Sequence, residues 1–300
     1  MVPKISKGFT LIELIVVIVL LGIMSAGAGL LITRPIEAYS DQLRRQQLVD
    51  SAEMAVRKIE TDIRRAVPNS LRIDVSNMPD SWALEMINVL DGARYRDEVQ
   101  SGAVGYTSAA HILLFNGVDA EFNVLGKFTS MTTATLPNSM RAVIYNTSPS
   151  AIYNDAVTTD TSGIISYPQG VELTTVSAAG FDDEHHIRLP SAFQFALRSP
   201  TQRMFIVSGP VSYVCDKTTG YLTRYADYGY QNTQLTSSAD LAALPGVEEA
   251  RVATQLAGCG ISYQPGASQR SGLVSLDLTL TDNKNESVRL LHQVHVDNVP

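Results

Sequence analysis

The sequence predicts an α+β protein in which a long N-terminal α-helical stem, its first half membrane-spanning, packs on a mainly antiparallel β head. Three observations carry this reading. From Leu14 to Ile32 the chain has no charged side chain, whereas the remainder is rich in Thr, Ser, Asn and Asp. Val49, Ala52, Val56, Ile59, Ile63 and Val67 then recur at spacings of three and four, the period of one helix face. Near the C-terminus, Val274, Leu276, Leu278 and Leu280 alternate with polar residues. After the turn Asp282–Asn285, the residues Val288, Leu290, Val294 and Val296 alternate back, as a hairpin with one buried face does.

With 300 residues, 45% hydrophobic and 7% aromatic, the chain can bury one large core or two smaller ones. Its formal net charge is −7, and loss of a leader carrying Lys4 and Lys7 would make it −9. An acidic head is not built to neutralise phosphates, so nucleic acid is not an expected partner.

The stem begins with an unusual order of features. A short basic leader ends at Gly8, Phe9-Thr10-Leu11-Ile12-Glu13 comes next, and the uncharged run comes after that. A secretory signal places its small-residue cleavage site after the apolar core. Here a cut after Gly8 would remove the leader and leave the apolar segment on the mature chain.

Lys7-Gly8-Phe9-Thr10-Leu11-Ile12-Glu13 resembles the processing site shared by type IV prepilins and type II secretion pseudopilins. The resemblance implies that a prepilin peptidase cuts between Gly8 and Phe9 and methylates the new amino terminus. It also implies a subunit-assembly role for Glu13, through the terminal amine of a neighbouring subunit. The cost of a carboxylate at the edge of a bilayer segment points the same way, since such a group needs a partner.

The 19 residues from Leu14 to Ile32 are close to the roughly 20 that span a hydrocarbon core as a helix. Gly22 and Ala26, and likewise Ser25 and Gly29, are spaced four apart, which lets a second helix approach closely. Pro35 predicts a kink or local unwinding near Leu31–Pro35. Beyond it the amphipathic half runs to Val67, where Pro68-Asn69 stops it, and Arg57, Lys58, Glu60, Asp62, Arg64 and Arg65 are expected mainly on its other faces. The whole stem would be roughly 90 Å long if straight. The expected organisation is leader 1–8, transmembrane and filament-core helix 9–33, amphipathic helix 34–67 and β-rich head 68–300.

In the head, strands are predicted at Leu71–Val75, Trp82–Val89, His111–Phe115, Arg141–Tyr145, His186–Leu189, Phe193–Leu197, Met204–Ser208 and Val211–Cys215, besides the closing hairpin. Thr129–Thr135 and Asn146–Gly163 read as loops. The two cysteines, Cys215 and Cys259, match no zinc or redox spacing. In an exported domain they read as one disulfide, the alternative being two free buried thiols.

No nucleophile elbow, phosphate loop or H-E-x-x-H helix occurs, so neither an enzyme nor a cofactor is expected. Asp182-Asp183-Glu184-His185-His186 is the densest polar cluster. It reads as a solvated turn, because adjacent strand side chains point to opposite faces and the oxygen spacing is not that of a calcium loop. His292 and His295, three apart on a strand, also face opposite sides.

The head resembles minor pilin-like proteins of the mannose-sensitive haemagglutinin (MSHA) pilus biogenesis systems. The similarity rests on Asp62–Ser70, Gly209–Cys215, Gly220–Tyr225 and His292–Pro300. It implies a structural subunit whose partners are other major and minor pilins, the inner-membrane assembly machinery and membrane lipid. The head would be periplasmic and later displayed on the pilus at the cell surface. Stem and early head also resemble the J-type minor pseudopilin of type II secretion. A third class, an adhesive or DNA-uptake minor pilin, would carry its function in loops such as Asn146–Gly163, Tyr225–Gln234 or the turn around Asp182.

Overall fold

The computed structural model describes residues 8–98, 112–131, 139–175, 184–266 and 271–300, without the side chains of 26, 27 and 29–33. Helix α1 (Leu11–Arg64) forms the stem. The backbone continues helically through Pro35 rather than unwinding. A proline removes one N–H but its fixed φ is compatible with a helix, and bonds on either side hold the segment.

The head is built on one long antiparallel sheet. Its strands are β1 (Arg72–Asp74), β2 (Ser81–Arg94), β4 (Arg141–Val143), β8 (Arg203–Asp216), β9 (Tyr221–Ala226) and β10 (Glu248–Ala253), ordered β1-β2-β8-β9-β10 with β4 on the other half of β8. A second sheet joins β3 (Asp119–Val124), β5 (Ser162–Gly163), β6 (Glu172–Thr175) and β7 (His185–Phe195). A third is the meander of β11 (Leu256–Gln264), β12 (Gly272–Thr281) and β13 (Ser287–Val296). The closing hairpin keeps the expected register, with Leu278 opposite Leu290 and Val274 opposite Val294.

Several predicted strands fuse or move. Met204–Ser208 and Val211–Cys215 are one strand, β8, interrupted by a bulge where Asn88 faces Gly209 and Val89 faces Val207. Gly209 takes φ +139 there, a conformation that L side chains rarely adopt. His186–Leu189 and Phe193–Leu197 likewise merge in β7. In the His111–Phe115 prediction, His111 lies outside the described residues and 112–115 form no strand. Asn146–Gly163 is not all loop, for Pro149–Val157 forms α2. Ser148 caps it by accepting the Ala151 N–H at 3.2 Å, and Ile152, Tyr153 and Ala156 are buried. A short α3 (Ser238–Ala242) covers Ala83, Val214 and Tyr225 from outside.

Two main cores result. The first lies between α1, through Leu48, Ala52, Val56, Ile59 and Ile63, and strands of the central sheet and the C-terminal meander. The second lies between β3, β6 and β7 and the far half of β8, and is filled by Phe122, Phe193, Phe195 and Tyr95. β8 serves both, with Tyr213 in one and Met204 and Ile206 in the other. That is why no linker in the sequence marks a boundary between them.

Cys215 on β8 and Cys259 on β11 are disulfide-bonded, Cα–Cα 6.5 Å apart and 44 residues apart in sequence. The bond ties the central sheet to the C-terminal meander. Closing such a loop stabilises by about 4 kcal/mol in the chain-entropy account. Cys215→Ser is therefore expected to lower the unfolding free energy by about that amount, as read from urea denaturation of oxidised protein. An unchanged midpoint would show that packing alone holds the meander.

Candidate assembly site

The N-terminal residues that the sequence singles out share one exposed helix start. Thr10 is the N-cap of α1: its Oγ1 accepts the Glu13 N–H at 3.3 Å. Glu13 Oε2 accepts in turn from the Thr10 N–H and hydroxyl, each at 3.0 Å. This reciprocal capping box satisfies two of the helix's orphan donors. In the single chain the carboxylate of Glu13 thus sits at the positive end of its own helix, beside Gly8 and Phe9. Phe9 is 82% exposed, and an added Cβ at Gly8 would meet nothing within 4 Å.

From Leu11 to Met24 the large apolar side chains are exposed around the whole helix. Burying one such side chain is worth about 1.5–3 kcal/mol, so this surface seeks lipid or other helices. A Cβ at Gly22 would also meet open space, while the side chains of 26 and 29 are not described. Among the described residues no helix is long and apolar enough to cross a membrane. The predicted span Leu14–Ile32 includes 26, 27 and 29–32, whose side chains are not described.

At the other end of the stem, the residues that join it to the head form a buried polar network. Asp62, which the charge pattern of the helix assigns to a solvated face, is instead 3% exposed, because it lies beside Ile59 and Ile63 on the stripe that packs against the sheet. Its Oδ2 accepts from the Tyr213 hydroxyl and from Arg224 Nε, both at 2.7 Å, and Lys58 Nζ stands 3.6 Å from Oδ1. Burial pushes the Asp62 carboxyl up, but the bonds from Tyr213 and Arg224 outweigh it, and the group ends below the usual aspartate range.

Nearby, His292 Nε2 lies 3.0 Å from Glu60 Oε2, while the Asn69 amide donates to Asn146 O at 3.0 Å and Asn298 O at 3.1 Å. The segments Asp62–Ser70, Gly209–Cys215, Gly220–Tyr225 and His292–Pro300 therefore meet at this joint. Their side chains hold the stem rather than surround a ligand. Farther along the stem, Arg44 and Arg45 pair with Asp282 and Glu286 in the β12–β13 turn at 3.2 and 3.4 Å. The sequence contained a signal for Asp62, an acid three residues from Ile59 and next to Ile63, but its partners lie more than 150 residues away.

The polar cluster is not a solvated turn where it is described. Glu184 and His185 are buried. Arg96 donates to both Glu184 oxygens, and the Asn123 amide donates to Oε2 at 2.9 Å. His185 Nδ1 accepts the Phe128 N–H at 3.2 Å, and burial keeps that imidazole below its ordinary pKa. The polar groups are buried because β7 runs on from them into the second core; Asp182 and Asp183 lie outside the described residues. His292 and His295 point to opposite faces of β13, as their spacing requires. Among the described residues, no three His, Cys, Asp or Glu side chains gather as metal ligands.

Residues 3–29 match the model of the prokaryotic N-terminal methylation motif. No curated protein and no solved structure matches the chain. The motif, on a helix start with this geometry, indicates a type IV pilin-like or pseudopilin-type protein. Such proteins are typically structural rather than catalytic. The motif implies processing by prepilin peptidase, pilins as partners and association with the membrane as part of a pilus-type assembly.

Proposed function

We propose that the chain is a minor pilin-like subunit that helps to assemble or initiate a type IV pilus of the MSHA type. Prepilin peptidase cuts between Gly8 and Phe9, and the uncharged run Leu14–Ile32 holds the subunit in the inner membrane with its head in the periplasm. Assembly machinery then draws it into a filament through contacts between N-terminal helices. The observation that supports this most is the apolar helix surface from Leu11 to Met24, exposed on every side and ending in a capped acid. A helix that is apolar all round is normally buried.

The other observations agree. Among the described residues Gly8 and Gly22 face empty space, so none of those residues requires their small size, and close approach by a peptidase or a second helix accounts for it. Glu13 is ready to pair with the Phe9 amine of a neighbour.

Deletion of the gene, followed by electron microscopy of surface filaments and a secretion assay, tests the reading. Loss of pili with secretion intact is the expected result. Lost secretion with normal pili would replace it with a J-type pseudopilin role.

A further inference from the structure

A pocket of about 790 Å³ opens on the head. It is lined by the start of β4, the end of α2, the β8 bulge and the segment after β9. Two of the three loops singled out in the sequence, Asn146–Gly163 and Tyr225–Gln234, thus converge on one cavity, whose size is that of a small-molecule site.

Arg141 lies in its wall. The residue is 5% exposed, and among the described residues no carboxylate pairs with it. Two aromatic rings lie near its guanidinium, with Cζ 4.9 Å from the Tyr230 centroid and 5.6 Å from that of Tyr167. One edge is used, Nη1 donating to Ala156 O at 2.8 Å. The Nε on the other side has no partner, nor has the Tyr230 hydroxyl, and both atoms are buried. A buried cation normally has a counter-charge, and buried donors are normally satisfied. Burial pushes the guanidinium's pKa down, as expected of a charge that nothing neutralises.

Nη1 is taken by a carbonyl and Nε is left without an acceptor; because Nε is buried, a ligand reaches it by displacing a neighbouring side chain of the lining. A planar carboxylate fits that donor. Ser139, Gln169 and Ser208 add hydroxyl and amide groups to the lining, and Tyr228 and Tyr230 add apolar surface. We infer that this pocket binds a hydroxylated carboxylate, a sugar acid of the uronic class, with its carboxylate on the Nε edge of Arg141. Asp227, also in the lining, is exposed and would face the sugar's hydroxyls rather than its charge. This site depends neither on leader processing nor on a place in a filament.

Glucuronate and glucose differ at C6, carboxylate against hydroxymethyl, and isothermal titration of each against the detergent-solubilised full chain tests the inference. Glucuronate should bind saturably, and glucose at least about tenfold more weakly. Arg141→Met should weaken glucuronate binding by a similar factor. Because Arg141 is buried, a second variant leaves it in place: a Cβ at Gly229, a residue of the lining, meets nothing within 4 Å, so Gly229→Phe is accommodated and is expected to obstruct the pocket. It should abolish binding with an unchanged unfolding temperature. Equal binding of the two sugars, full binding by Gly229→Phe, or no saturable glucuronate binding would each overturn the inference.

Discussion

Glu13→Gln is expected to be cut at Gly8–Phe9 like the natural chain, yet to enter filaments at least about tenfold less well. The geometry makes this substitution informative. Glutamine serves at the third helical position of a capping box as well as glutamate does. Its side-chain oxygen can still accept the Thr10 N–H that Glu13 Oε2 accepts at 3.0 Å. The helix start is therefore kept and only the charge is lost. If the acid merely marks the membrane edge, removing the charge eases insertion and leaves assembly unchanged. If it receives the Phe9 amine of a neighbour in a low-dielectric filament core, the variant leaves that amine unpaired. Losing one partner of a buried pair commonly costs about 3–5 kcal/mol. Mass spectrometry should find the same Phe9 amino terminus in both proteins, and immunoblots of sheared filaments should find the variant depleted. Equal incorporation would remove the pairing role.

Asp62→Ala is expected to destabilise the junction of stem and head by about 3 kcal/mol, because it leaves the buried Tyr213 hydroxyl and the half-buried Arg224 without their acceptor. Asp62→Asn keeps the shape and one acceptor oxygen and should cost less. The natural chain should also show the acid in its pH dependence. The folded-state carboxyl titrates below the ordinary aspartate value. Its contribution is therefore complete above about pH 4, the unfolded value, and is lost as the pH falls through the lower folded value. Urea denaturation across that window should show natural protein losing more stability than Asp62→Ala. Parallel curves for the two would mean that Asp62 carries no net stabilising charge in the fold.

The stem was legible because its signals are local. The uncharged run Leu14–Ile32 is continuous, and the buried stripe is written in spacings of three and four from Ala52 to Ile63, whereas the capping box of Thr10 and Glu13 emerged from the structure. The closing hairpin was legible for the same reason, since strict alternation around one turn allows one register. The rest of the head was less so. Leu71–Val75, Trp82–Val89 and Arg141–Tyr145 stand near β1, β2 and β4, but β3, β9, β10 and β11 carry no clear strand pattern. β10 has mostly exposed residues, and β11 contains Gly258 and Gly260, which weaken strand propensity. α2 was hidden by its Ser- and Asn-rich surroundings, although Ser148-Pro149 is a helix-start signal.

The proposed processing, membrane attachment and stacking concern a continuous stretch, in which period, charge and residue size act over one or two helical turns, so the order of residues suffices to suggest them. The joint at Asp62 and the pocket at Arg141 are different in kind. Tyr213 and Arg224 lie 151 and 162 residues from Asp62, and the rings near Arg141 come from separate segments of the head. Whether a charged side chain faces water or a buried partner is set by which strands pair and which face of the sheet the helix covers. That choice is made by burial summed over the whole core, and no local pattern in an acidic, Ser- and Thr-rich head encodes it.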